Sequence, residues 1–203
     1  MLDKAPQGSG LKFNDNRYLK RTFNPMLWDD MQSSVSTAKV PANQSPTWRS
    51  YDYGIAGGDT YPALGFGSND YIDFFVQTPH TAQINAILDY HLHWTIPTDS
   101  EGDRFAFKLN IIAAGINNKF RKLEGSPFRK EYVLKGNESG RHNYLDVAHI
   151  DDKANPTVSS LLICTLSRTA ASVDEYGGEI YISYDDFHIL HDTAGSILEG
   201  YKE

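Results

Sequence analysis

The chain has one cysteine, Cys164, among its 203 residues, so no intrachain disulfide can form and the fold must be held by packing. It also lacks any apolar run near the roughly 18 to 20 residues of a membrane span. The start, Met1-Leu2-Asp3-Lys4-Ala5-Pro6, has no apolar core of the secretory kind. Together these absences imply a protein kept in the cytoplasm or built into a particle there, with no membrane partner. Positive charge is in deficit: 19 Lys and Arg face 26 Asp and Glu, a formal charge of −7. Such a balance argues against a duplex nucleic-acid partner, which needs clustered cations to neutralise phosphates. There is no P-loop, no G-x-S-x-G elbow, no H-E-x-x-H, no paired C-x-x-C and no calcium loop, so no catalytic residue and no organic cofactor is assigned.

What the chain does contain is aromatic side chains: 12 Tyr, 10 Phe and 3 Trp, too many for a disordered chain. At this length a compact domain buries roughly 70 % of its unfolded surface and needs no staple. Residues 1–50, with Gly8, Gly10, Pro25, Pro41, Pro46 and the polar run 32–37, carry no sustained helix or strand period and read as an extended N-terminal arm. The arm is studded with Phe13, Tyr18, Phe23, Leu27, Trp28 and Trp48, large groups expected to lie on the chain's own domain or on a neighbouring subunit.

Residues 51–203 read as one domain with a period of two. Strands are expected at 71–76, 87–96, 105–111, 131–135, 144–150, 158–166 and 180–184. The cleanest alternation puts Leu88, Tyr90, Leu92, Trp94 and Ile96 on one face and Asp89, His91, His93 and Thr95 on the other. Glycines at 54–58 and 65–68 read as turns or bulges. Seven or eight short strands without an amphipathic helix make the fold class all-β, an antiparallel β-sandwich of jelly-roll type with an extended arm. Cys164, inside Leu161-Leu162-Ile163-Cys164-Thr165-Leu166, is expected to be a buried, inert thiol.

His91-Leu92-His93 is the sharpest chemical signal. Residues i and i+2 of a strand point the same way about 7 Å apart, so two imidazoles can share a divalent cation if a third ligand comes from a facing strand. His188 is the natural third ligand, with Asp186 or Asp89 as carboxylate partner. A metal site of His91, His93 and His188 is built as cupin-like sites are, which opens a metal-enzyme reading. Strict alternation, however, puts His188 on the face of Ile180, Ile182 and Tyr184, away from the polar face of His91 and His93. The other reading of these histidines is a surface or interface group bonded to carboxylates. The basic stretch Lys119 to Lys130 reads as a solvated hairpin tip, and His149, Asp151 and Asp152 as a polar turn. Exposed Tyr and Trp leave a third reading, a glycan- or receptor-binding module.

Three patches carry a family resemblance: Trp28-Asp29-Asp30, Tyr90-His91-Leu92-His93-Trp94, and Asp186-Phe187-His188 followed by Asp192-Thr193-Ala194-Gly195-Ser196, with Glu199, Tyr201 and Lys202 closing the chain. In these the sequence resembles a family of small tailed-bacteriophage virion proteins, departing from it in Met31 for Leu and in an extra Gly200. The resemblance implies a non-enzymatic virion component, a head decoration or cement protein or a head-fibre or neck accessory. Its partners would be the major capsid, fibre or neck proteins. A homo-oligomer is expected, and a trimer would match a capsid's local threefold positions. Trp28, Asp29, Asp30, Trp48, Gly195 and Ser196 are then the expected contact residues, in the arm and the C-terminal segment.

Overall fold

The computed structural model describes residues 11–13, 19–21, 27–33, 35–54, 57–82, 87–151 and 158–191. Among these there is no α-helix, and of thirteen strands eleven make an antiparallel, jelly-roll-like β-sandwich. In chain order they are β1 (Leu11–Phe13), β2 (Leu19–Arg21), β3 (Leu27–Ser33), β4 (Thr47–Asp52), β5 (Thr60–Phe66), β6 (Tyr71–Gln77), β7 (Leu88–Thr95), β8 (Arg104–Ala114), β9 (Arg121–Lys122), β10 (Phe128–Val133), β11 (Asn143–Ile150), β12 (Leu161–Thr169) and β13 (Ile180–His191). The smaller sheet runs β10-β8-β12-β6, with β9 beside β8. The larger runs β11-β7-β13-β5-β4, with β3 pairing the C-terminal half of β13 where β5 has ended.

The core follows the period of two. Leu88, Tyr90, Leu92 and Trp94 of β7 point inward to meet Phe105, Phe107, Leu109 and Ile111 of β8, all buried. The Trp94 and Phe105 rings lie 4.8 Å apart, edge to face, and Tyr90 packs on Phe187 at 4.8 Å. Burial of each such side chain contributes roughly 1.5–3 kcal/mol. Cys164 is buried as expected, in phase with Leu162 and Leu166, and burial pushes its thiol pKa well up.

The structure corrects the arm. Residues 11–13 and 19–21 pair with each other as a small antiparallel sheet, while β3 and β4 are edge strands of the larger sheet, so the boundary at residue 50 falls inside a strand. No period was visible because an edge strand is bonded on one side and tolerates polar residues. In β3, Trp28, Asp29, Asp30 and Gln32 are exposed, while Met31 and Ser33 are buried.

Gly65 is also not a turn residue: it lies within β5, paired with Tyr181 and Thr47. A Cβ there would stand 2.8 Å from Glu179 Oε2 and 2.9 Å from the Tyr181 ring, so the glycine serves close packing. Gly65→Ala is expected to cost about 1–3 kcal/mol by overpacking, read as a lower urea midpoint at unchanged slope.

Candidate functional site

The outward face of β7 and its neighbours gathers the histidines. His91 lies opposite Asp146 of β11 on one side and Asp186 of β13 on the other. His188 lies opposite Asp89 of β7 and Asp30 of β3. Register decides this meeting. Between Ile182 and Tyr184 the β13–β7 pairing slips at a bulge. Ile182 therefore stays inside against Trp94, but Tyr184, Asp186 and His188 turn outward with His93, His91 and Asp89. The strict alternation expected from sequence is thus corrected by one extra residue, Ser183, which is how bulges re-aim side chains. A second slip, between Asp146 and Ala148 on β11, leaves Asp146 and His149 both outward.

The resulting contacts are close. His91 Nδ1 is 3.2 Å from His188 Nε2, the rings standing edge to face. Asp186 Oδ1 lies 3.6 Å from His91 Nδ1, and Asp186 Oδ2 lies 3.8 Å from His188 Nε2. His91 Nε2 meets Asp146 Oδ1 at 2.5 Å, and His188 Nε2 meets Asp30 Oδ1 at 3.0 Å. Three donor atoms, from His91, Asp186 and His188, therefore converge on one point, the arrangement from which a cation could be held. His93 is not the third member. An i, i+2 spacing separates it from His91, and it turns its Nδ1 to His142 Nε2 at 2.7 Å while its Nε2 faces Asp186 Oδ2 at 3.4 Å. Asp186, diagonal to His93 and opposite His91, takes that place.

Asp186 is only 2 % exposed, and its Oδ1 accepts no hydrogen bond; His93 Nε2 is likewise buried and without a hydrogen bond. On the inner face behind it, Asp185 accepts hydrogen bonds from Tyr90 Oη at 2.9 Å and Ser33 Oγ at 2.7 Å. Burial, with a smaller contribution from the Asp186 charge, raises the Asp185 carboxyl to about 7, against the pull of those two hydroxyls.

The other expected site residues are dispersed. Trp28 and Asp29 share β3 with Asp30; the Trp28 ring is 6.5 Å from that of His188, and Asp29 Oδ2 is 3.7 Å from His191 Nε2. Trp48 sits on the far edge strand, β4, and Gly195 and Ser196 lie outside the described residues, as does Asp152. His149 is not in a turn: it lies in β11 and meets Asp89 Oδ1 at 2.5 Å. Sequence reading missed Asp146, Tyr144 and His142. The first two do carry a signal, since they alternate with Leu145 and Val147, but nothing in the sequence pairs their strand with β7. Tyr144, largely exposed at 64 %, stands 6.1 Å from the His91 ring. Above these groups opens a pocket of about 710 Å³, bordered by Asp89, His91, Lys130, Tyr144, Asp146 and His149.

No protein-family model matches the chain, and no curated protein does. Among solved structures, the fold is similar to the CBM22-1 xylan-binding domain of Paenibacillus barcinonensis Xyn10C, at 9 % identity and a TM-score of 0.43, covering 83 % of this chain and 95 % of that one. It is also similar to a second xylan-binding domain, from CBM 22 (8 % identity, TM-score 0.35, 83 % and 96 % covered). A third is TmCBM27, a carbohydrate-binding module described in terms of mannan recognition (14 % identity, TM-score 0.34, 80 % and 88 % covered). The likeness concerns the arrangement of strands and assigns no ligand to this chain.

Proposed function

We propose that the protein is a non-catalytic binding module that takes a neutral, polyhydroxylated ligand, a glycan, on the outer face of its larger sheet. The observation that carries this reading is the juxtaposition in one pocket of the exposed Tyr144 ring with planar hydrogen-bonding groups of Asp89, Asp146, His91 and His149. A pyranose offers an aromatic ring its C–H face and offers carboxylates and imidazoles its vicinal hydroxyls, the mix of apolar wall and few polar groups that small-ligand sites use. Asp89 and Asp146 against the lone cation Lys130 make the pocket border acidic, which repels polyanions and suits an uncharged ligand. On a glycan array the protein is expected to capture neutral oligosaccharides, and Tyr144→Ala to weaken the best of them about tenfold in calorimetry. An array blank for neutral glycans, or binding untouched by Tyr144→Ala, would overturn the reading.

The virion role implied by the sequence resemblance is a second proposal, favoured by two indole rings left about half exposed on edge strands, Trp28 (49 %) and Trp48 (47 %). Edge aromatics of this kind fit attachment to capsid, fibre or neck proteins or to further copies of the chain. In sedimentation the wild type should self-associate and a Trp28→Ala/Trp48→Ala variant should run as a monomer. A wild type that stays monomeric at high concentration removes self-assembly from this proposal.

A further inference from the structure

We infer that the outer face of the larger sheet binds one divalent transition-metal ion, zinc by preference, through His91 Nδ1, His188 Nε2 and the Asp186 carboxylate. The inference goes beyond glycan binding and stands without it. Four-coordinate zinc, bound at about 2.0–2.1 Å, sets its ligand atoms about 3.4 Å from one another. His91 Nδ1 lies 3.2 Å from His188 Nε2 and 3.6 Å from Asp186 Oδ1, and His188 Nε2 lies 3.8 Å from the other carboxylate oxygen, Oδ2, so an ion fits among the three groups once the carboxylate and rings turn toward it.

Two orphaned groups point to the same place. Asp186, almost wholly buried, has an Oδ1 that accepts no hydrogen bond, and the buried His93 Nε2 makes none either, facing Asp186 Oδ2 at 3.4 Å. A buried carboxylate oxygen that accepts no hydrogen bond is unfavourable unless something charged completes it, and a cation at the triangle does so. The outer contacts agree. Asp146 Oδ1, 2.5 Å from His91 Nε2, favours the tautomer with its proton on Nε2 and so leaves the Nδ1 lone pair for the ion, as a carboxylate beside a metal-bound imidazole does. Asp30 Oδ1, 3.0 Å from His188 Nε2, stands where a fourth ligand could enter from β3. Two imidazoles and one carboxylate suit zinc and its neighbours in the first transition row and do not suit calcium or magnesium, which prefer oxygen. The ion would tie β7 to β13, with Asp30 extending the tie to β3.

The test uses the full chain, stripped with chelator, and zinc chloride alone as the probe. Calorimetry should show uptake of one equivalent, with a thermal midpoint that rises with zinc concentration because the ion binds only the folded state. His188→Ala, at a partly exposed position, should weaken binding at least 100-fold, while His80→Gln, in a loop away from the cluster, should change it less than threefold. Ring-nitrogen NMR of the wild type gives an independent readout: zinc should move the His91 and His188 signals most. Failure of the wild type to take up one equivalent, uptake unchanged by His188→Ala, or shifts confined to other histidines would each overturn the inference. If His188→Ala does not fold, the wild-type titration and spectrum still decide it. No glycan enters the experiment, so its outcome is separate from that of the glycan reading.

Discussion

Replacing Arg168 with methionine is expected to destabilise the protein by about 3–5 kcal/mol and to lower its thermal midpoint by on the order of 10 °C. Arg168 is 1 % exposed, at the end of β12 and in phase with the core residues Leu162, Cys164 and Leu166. Its Nη1 donates to the carbonyl of Phe66 at 2.9 Å, across the sandwich on β5, and to that of Gly178. Its Nη2 donates to Glu175 Oε1 at 2.9 Å and to the Tyr176 carbonyl. Burial draws the guanidinium pKa down, opposed by Glu175, yet the group stays charged because an arginine starts so high. One planar fork thus ties the smaller sheet, the larger sheet and the loop that leads into β13. Methionine fills similar volume and leaves three carbonyls and a carboxylate without their donor. Arg168→Lys should recover less than half the loss, since an ammonium cannot reach four acceptors in two directions. Chemical denaturation measures both variants, and a lysine variant as stable as wild type would remove the fork from the explanation.

The second large effect concerns Asp185 and depends on pH. Its carboxyl titrates at about 7 in the folded protein against 3.8 for an ordinary aspartate. Between those values the native state holds a proton that the unfolded chain has lost, so stability from this group is full below about pH 4 and falls as pH rises through 7. At 1.36 kcal/mol for each pH unit, the whole change is on the order of 4 kcal/mol. Asp185→Asn, which keeps the shape and cannot ionise, should therefore gain on the wild type by roughly that amount between pH 4 and pH 8. Taking the difference between the two proteins cancels the titration of the surface histidines they share. Urea unfolding at several pH values measures it, and a difference that does not vary with pH would mean that Asp185 is ionised and solvated in the folded state.

Arg168 and Asp185 show where sequence reading stops. Both occupy inward positions of their strands, and a charged residue in phase with Leu or Ile carries no local sign that it is buried. Only their partners make burial tolerable, and those partners are 7 to 152 positions away along the chain. The histidines show a different limit. His91 and His93 were legible as a polar face of β7, and His188 as a candidate companion. The extra residue at Ser183 that brings Asp186 and His188 onto that face has no sequence signature.

The all-β class, the inward faces of β7 and β8 and the shared polar face of His91 and His93 follow from local alternation, because a strand's period of two is written in consecutive residues, and the burial of Cys164 follows from its apolar neighbours in sequence. Strand order, the two bulges, the edge roles of β3 and β4 and the meeting of Asp186 with the two imidazoles belong to the tertiary structure. They depend on which strand pairs with which and in what register, and a single residue of slip sends a side chain to the opposite face.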